Sequence, residues 1–226
     1  MSKTARTPLS ERPFPDYTRK EEMLHSVSHI LGAGCALVMI WMIVRATQGR
    51  PIAMFSGLVY AFSVLLMLLM SSIYHGLPKG MPKQVMRVVD HCDIFVTIAG
   101  TYTPICLLGI CKINPVMGWS ILIAEWVLAI IGITLNAIDL KKYSKFSMIC
   151  YLGMGWCVVI SLRDTILAMT WPGFLYILLG GVAYTIGAML YLIGKKKNKR
   201  YRHFIFHVFV LLGVLIQFVG ILNFLL

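Results

Sequence analysis

Two histidines near the C-terminal end of the chain have the spacing of a metal-binding pair. His203 and His207 are separated by three residues, so on a helix their imidazoles lie one turn apart on the same face. A basic run at 195–202 precedes them and an uncharged apolar segment follows. If the basic run lies at a membrane surface, His207 lies only about 6 Å deeper along the helix axis than His203. The spacing therefore predicts two ligands of a shallow metal site, although such a pair can also simply hydrogen-bond to headgroups or neighbours.

The composition indicates an integral membrane protein. Of the 226 residues, 58% are hydrophobic and only 13% are charged, far from the composition of soluble globular domains. The net charge of +12 could suggest nucleic-acid binding, but the basic residues fall almost wholly between apolar segments. They are better explained as a membrane-orientation signal, and no nucleic-acid partner is expected. The six cysteines show no Cys-x-x-Cys spacing, so no disulfide framework is predicted.

Seven apolar segments are long enough to cross a hydrocarbon core of about 30 Å, which takes roughly 20 residues each. Alternate loops hold 17 of the 21 Lys and Arg residues, which predicts a cytoplasmic N-terminus and an external Leu226 by the positive-inside rule. The predicted fold is an all-α bundle of seven transmembrane helices, one domain at 21–226 after a cytoplasmic tail at 1–20. The predicted spans, of which the fifth is the shortest, are 26–46, 52–76, 88–110, 116–138, 145–162, 172–193 and 203–225.

All six histidines lie where this topology places the cytoplasmic membrane boundary. They are His25, His29, His75, His91, His203 and His207. Three neutral imidazoles with an open fourth position form the ligand set of a catalytic zinc, which lowers the pKa of a bound water to about 7. The helix pair His203 and His207 together with His75 supplies such a set, so these three are predicted to bind Zn²⁺. In the alternative, interfacial histidines only satisfy loops and headgroups.

Two polar residues are predicted to act beside the metal. Asp90 can accept a proton from a water or orient an imidazole, although an acid near a helix N-terminus is also favoured by the helix dipole. Ser71 lies one turn before His75, so its hydroxyl can reach the site or bond back to its own helix. Glu125 differs because it lies near the middle of the fourth span. We expect it to be protonated, paired with another helix and outside the zinc site.

These residues resemble the hemolysin III family, the bacterial branch of the progestin and adipoQ receptor proteins. The matching blocks are Ser71-x-x-x-His75, Asp90 followed by Ile98-Ala-Gly-Thr-Tyr-Thr-Pro104, and His203-x-x-x-His207, with a fourth at Glu22-x-x-His25-x-x-x-His29. The resemblance implies seven helices, an internal N-terminus and a zinc near the cytoplasmic face, held at His75, His203 and His207 with Asp90 and Ser71 beside it. The chain departs from the family at His25, where Asn is usual, and this change could add a competing ligand.

The resemblance implies a function at the membrane. Mammalian relatives are receptors with ceramide-hydrolysing activity, and the bacterial branch is named for cell lysis. The preferred expectation is a zinc-dependent hydrolase of a lipid amide or ester, with a membrane lipid as substrate or ligand. The alternatives are a non-enzymatic regulator of the membrane with structural zinc, or a pore-forming hemolysin.

Overall fold

The computed structural model describes residues 8–197 and 199–226, so residues 1–7 of the predicted tail and position 198 of the basic run lie outside it. The described residues form seven helices of more than ten residues and no strand. The helices are α1 (Arg19–Ala46), α2 (Pro51–Gly76), α3 (Met81–Ile113), α4 (Pro115–Asp139), α5 (Ser144–Gly155), α6 (Leu162–Lys196) and α7 (Arg202–Phe224).

Six of the seven predicted spans are confirmed as helices long and apolar enough to cross a membrane. The fifth is shorter. With the 3-10 turn that follows it, α5 extends over Ser144–Val159, about 24 Å at 1.5 Å per residue, which is less than a typical hydrocarbon core. Large apolar side chains such as Leu31 and Val116 point outward on the other helices. The chain is therefore a multi-pass membrane protein.

The sixth helix begins ten residues earlier than its predicted span. Its first part starts at Leu162, and Thr170, with φ 61°, separates this part from the rest of α6 just before Pro172. This early part packs on the bundle. Its Thr165 is fully buried, and its Asp164 carboxylate accepts a hydrogen bond from the Asn114 amide at 3.2 Å. An apolar helical segment thus replaces the loop expected between the fifth and sixth spans.

The third helix changes its hydrogen-bonding pattern at Pro104. This proline has no N–H to donate, and a π-helical segment, Ile105–Ile110, follows it directly. Segments of this kind are rare and are frequently found near functional sites. Here the segment packs against α2, α4 and α6, so the irregular backbone lies inside the bundle rather than against lipid.

The packing of the helices brings the first helix, α1, and the last helix, α7, into contact. α1 packs against α2 and α7, α2 against α3, α3 against α4, and α6 against α7. Glycines permit the last contact, because a Cβ at Gly187 would come within 2.7 Å of Phe209 and one at Gly180 within 2.3 Å of Gln217. Small residues allow such close approach where van der Waals packing drives association. The beginnings of α1 and α7 and the end of α2 therefore lie side by side.

Candidate metal centre

Five histidines converge where the beginnings of α1 and α7 lie beside the end of α2. We call them the histidine cluster: His25 and His29 from α1, His75 from the end of α2, and His203 and His207 from α7. All are buried except His203, which is half-buried. His91, the sixth histidine, belongs to α3 and its Nδ1 lies 2.9 Å from the Arg87 carbonyl oxygen. The sequence pattern predicts all six at one boundary. The structure places His91 on the wall of the adjoining cavity, outside the ring contacts that join the other five.

The ring nitrogens of the cluster face one another. His203 Nε2 lies 3.2 Å from His75 Nε2 and 3.1 Å from His207 Nε2. A ring nitrogen from each of His25, His75 and His203 also lies within 4.8 Å of the others. Both nitrogens of His25 and Nδ1 of His203 are buried without a hydrogen-bond partner, which is rare in native proteins. Convergent nitrogens of this kind fit a bound divalent metal ion, so the three histidines could hold one.

A carboxylate orients one of these imidazoles. Glu22 Oε2 accepts a hydrogen bond from His75 Nδ1 at 2.6 Å, and Glu22 Oε1 lies 3.1 Å from the Lys83 ammonium. Lys83 also donates to three backbone oxygens at the end of α2, those of Tyr74, His75 and Leu77. These carbonyls have no partner within the helix, so the buried lysine caps α2. With Nδ1 occupied, His75 presents Nε2 to the cluster.

Two serines lock α1 against α2 beside the cluster. Ser26 Oγ donates to the Ser72 carbonyl at 2.9 Å, and Ser72 Oγ donates to the Ser26 carbonyl at 3.0 Å. Gly76 is close to the same point, since a Cβ there would lie 3.4 Å from Ser26 Oγ. Because Ser26 follows His25 directly, this reciprocal pair sets the distance between His25 and His75.

Glu21 joins the beginning of α1 to the beginning of α7. Its carboxylate accepts hydrogen bonds from the Thr18 backbone N–H, completing a capping box, and from the Tyr201 N–H at 2.8 Å. Tyr201 has φ 57° and precedes the first residue of α7. This left-handed conformation is unusual outside glycine, and the Glu21 contact holds it. His203, two residues later, is thereby placed beside α1.

Tyr17 packs on the cluster from the segment before α1. Its ring stacks on His203, with centroids 5.4 Å apart and planes 13° apart, and meets His25 edge-on at 4.9 Å. Burial raises the pKa of the Tyr17 phenol above its usual range, so the ring stays neutral at physiological pH. Tyr17 thus covers part of the cluster with an uncharged aromatic ring.

Asp90 and Ser71 meet beside the cluster. Their side chains are neighbours on the wall of one cavity, and Asp90 Oδ2 also lies 3.5 Å from His91 Nδ1. Both residues are buried. Asp90 and Ser71 line the same cavity as His203 and His207, so a small molecule in that cavity can touch the acid and the histidines together.

The cavity has a volume of about 210 Å³ and extends inward from the cluster. Its far end is lined by Tyr102 and Gln217, and its sides by apolar residues of α2, α3, α5, α6 and α7, including Met67 and Ile98. Trp156, at the end of α5, donates to Thr185 Oγ1 of α6 at 3.0 Å, joining the two helices that line one side. The histidine end is polar and most of the remaining wall is apolar, which suits an amphipathic ligand.

Glu125 lies outside this cavity. Its carboxyl group lies close to the Cys157 thiol, and its Oε2 atom is buried without a hydrogen-bond partner. No residue of α4 lines the cavity in the described part of the chain. The expectation that Glu125 stays apart from the histidines agrees with this placement.

The fold brings together all of the site residues predicted from the sequence. His75, His203 and His207 share one cluster, while Ser71 and Asp90 lie on the adjoining cavity wall. Sequence reasoning did not assign Glu22, Lys83 or Tyr17. Glu22 lies three residues before His25 on the same helical face. This spacing was the sequence pattern from which a place for Glu22 beside the cluster could have been predicted. His25, interpreted from the sequence as a possible competitor, lies inside the cluster.

Comparison with known proteins gives consistent matches over most of the chain. Residues 17–218 match the profile of the family described as haemolysin-III related. The chain is 32% identical to Hemolysin-3 of Bacillus cereus over 205 residues, which are 90% of this chain and 91% of that protein. It is 31% identical to the Hemolysin-3 homolog of Bacillus subtilis (strain 168) over 208 residues, which are 91% of this chain and 95% of that protein. The matched region includes the whole histidine cluster.

Proposed function

Because the chain belongs to the haemolysin III family, we propose that its histidine cluster serves a metal-dependent hydrolase acting on a lipid amide or ester bond. The metal is Zn²⁺, bound through His75, His203 and His207. The observation that carries the proposal is the shared cavity, in which convergent imidazoles, a buried carboxylate and an apolar chamber meet. Bound zinc would supply a Lewis acid that polarises the carbonyl oxygen of the scissile bond.

Asp90 is the general base in this proposal. Its carboxylate lies on the cavity wall beside the histidines, so a carboxylate oxygen can accept the proton that an attacking water loses. The Ser71 side chain lies close to this carboxylate, so its hydroxyl would donate to a carboxylate oxygen and orient it. Ser71 is therefore a positioning residue, whose removal leaves the base present but less well placed.

The apolar part of the cavity binds an acyl chain in this proposal. Its side walls come from membrane-embedded helices, and its polar end is the cluster itself. A lipid with one chain in the cavity would place its amide or ester group at the histidines and Asp90. Burial of the chain excludes water from most of the cavity, which favours a substrate with a long apolar part.

The test is lipid turnover by the purified, zinc-loaded protein. A panel of ceramide-like amides and acyl esters is incubated with the wild type and with Asp90→Asn, and released fatty acid is measured. Loss of a general base costs about 10²- to 10⁴-fold in rate, while zinc, whose ligands are unchanged, stays bound. Asp93→Asn is the matched control, because Asp93 is buried on the same helix but does not line the cavity.

Two outcomes would contradict this proposal, one its reaction and the other its general base. If the zinc-loaded wild type releases no fatty acid from any lipid in the panel, the reaction is wrong. If Asp90→Asn and Asp93→Asn keep equal activity, the assignment of the base is wrong. The alternative function is a membrane protein with structural zinc, and the position of His25 inside the cluster favours it, because a fourth ligand would close the metal site.

A further inference from the structure

We propose that His25 is a fourth metal ligand, so that the ion is enclosed by the imidazoles of His25, His75, His203 and His207. This inference rests on the metal binding in the proposed function but not on hydrolysis. It adds a ligand to a site whose other three members are recognisable in the sequence. It also changes the site from one with an open position to one that is full.

The arrangement of the four rings is close to a tetrahedron. The six distances between their centroids are 4.5 Å (His25–His75), 4.8 Å (His25–His203), 5.2 Å (His25–His207), 5.1 Å (His75–His203), 5.3 Å (His75–His207) and 4.5 Å (His203–His207). Four imidazoles around zinc, with zinc–nitrogen bonds of about 2.0 Å, would place their ring centres about 5 Å apart in every pair. The six observed distances cluster around this value.

Two of the nitrogen pairs have the separation expected of a metal site, and the nitrogen of His25 lies farther away. A tetrahedral site with bonds of about 2.0 Å separates its ligand nitrogens by about 3.3 Å. The two Nε2 pairs that include His203 are separated by 3.2 and 3.1 Å. His25 brings a ring nitrogen within 4.8 Å of both His75 and His203. A small movement of the His25 ring would complete the fourth bond.

The surroundings of His25 leave its nitrogens no other partner in the described structure. The residue is fully buried, and neither Nδ1 nor Nε2 forms a hydrogen bond. A buried polar group left unpaired destabilises the fold, and a bond to a metal ion would satisfy one of these nitrogens. His29 is also buried with unpaired nitrogens, but its ring stacks flat on His207, with centroids 3.7 Å apart. In that position His29 supports His207 from the side instead of completing the tetrahedron.

A full set of four imidazoles has a consequence for chemistry. Catalytic zinc sites keep one position free of protein ligands, whereas structural sites are closed. His25 would therefore hold the resting site closed, and hydrolysis would require His25 to move away from the ion. Replacement of His25 by a residue that does not bind the metal would open the site permanently.

The first test counts ligands without any substitution. X-ray absorption at the zinc edge of the wild-type protein in detergent should give four imidazole nitrogens and no oxygen. Three imidazoles with one oxygen would overturn the inference and leave the proposed function intact. Four imidazoles in a protein without lipid turnover would support the inference and overturn the hydrolase. Absence of stoichiometric metal would overturn both.

The second test uses cobalt(II) as the spectroscopic metal and azide as the probe. The visible spectrum of the cobalt-loaded wild type should not change with azide, because no position is open. His25→Asn should shift the spectrum, make it respond to azide, and weaken metal binding by more than the 10- to 100-fold typical of losing a group that only orients a ligand. His91→Asn is the matched control and should behave as the wild type. An azide-sensitive wild type with a spectrum equal to that of His25→Asn would contradict the fourth ligand.

Discussion

Glu22 Oε2 lies 2.6 Å from His75 Nδ1, and this contact decides which nitrogen of His75 can bind a metal. The other Glu22 oxygen is held by Lys83 at 3.1 Å, and Lys83 also caps the end of α2. The glutamate therefore connects the beginning of α1, the end of α2 and the beginning of α3 through one half-buried carboxylate. Groups that orient a metal-binding histidine in this way raise its basicity and fix its ring.

We predict that Glu22→Gln weakens zinc binding by about 10- to 100-fold, as is typical when such an orienting group is lost. The amide keeps the size of the side chain but removes the charge that pairs with Lys83 and polarises His75. Zinc affinity is measured by competition with a chelator of known affinity, in monodisperse protein. Glu11→Gln, an exposed glutamate in the segment before α1, should leave the affinity unchanged. Equal affinities for the two variants would show that Glu22 does not act through His75.

The sequence indicated the histidines of the cluster more clearly than the groups that hold them. His203 and His207 are recognisable because their spacing alone places both imidazoles on one helical face. The Glu22–His75 contact joins residues 53 positions apart, and no local pattern specifies which helix ends will meet. In the sequence, His25 stands out because the family usually has Asn at this position. Only the packing of α1 between α2 and α7 places its ring among those of His75, His203 and His207.

The helical segments are predicted accurately where hydropathy alone determines them and less accurately where packing determines them. The long apolar runs are helices because a span must satisfy its own backbone hydrogen bonds in lipid. The sequence predicts a loop before Thr170, yet this segment is helical because its polar residues, such as Thr165, are buried against the bundle. Hydropathy does not separate such a packed segment from an exposed connection.

The orientation of the bundle is predicted from the charge bias in the loops. We expect a reporter fused after Leu226 to be external and one inserted in the 195–202 loop to be cytoplasmic, since 17 of the 21 Lys and Arg residues lie on the side assigned to the cytoplasm. Glycosylation or phosphatase and fluorescent-protein fusions give the two readouts. A cytoplasmic C-terminus would mean that the short fifth helix, Ser144–Val159, does not cross the membrane.

Tyr17 is expected to slow the loss of the metal. Its ring stacks on His203 and meets His25 edge-on, so it covers part of the path from the aqueous side to the cluster. Tyr17→Ala should release zinc to excess EDTA severalfold faster than the wild type, with little change in the number of bound ions. Tyr143→Ala, in the turn before α5, is the control. If both variants release zinc at the wild-type rate, Tyr17 does not cover the site.

The last prediction concerns the apolar part of the cavity, and it depends on Gly181. This glycine lines the cavity, and a Cβ added to it would meet no atom within 4 Å. We therefore expect Gly181→Leu to place its side chain in the space proposed for the acyl chain, because its Cβ atom meets no neighbour. A difference of one methylene in an apolar pocket changes substrate discrimination by about 10- to 200-fold. The larger leucine side chain should therefore reduce turnover of long-chain lipids by at least about 10-fold.

Zinc affinity should stay unchanged in Gly181→Leu, because the histidine cluster is not altered, and turnover of a short-chain analogue should fall much less than that of a long-chain lipid. Gly34→Leu is the matched control, because a Cβ added at Gly34 would also meet no atom within 4 Å, and Gly34 is exposed on α1, away from the cavity. Fatty-acid release is measured for both chain lengths with both variants. If Gly181→Leu and Gly34→Leu show the same chain-length preference, the substrate's acyl chain does not occupy this cavity.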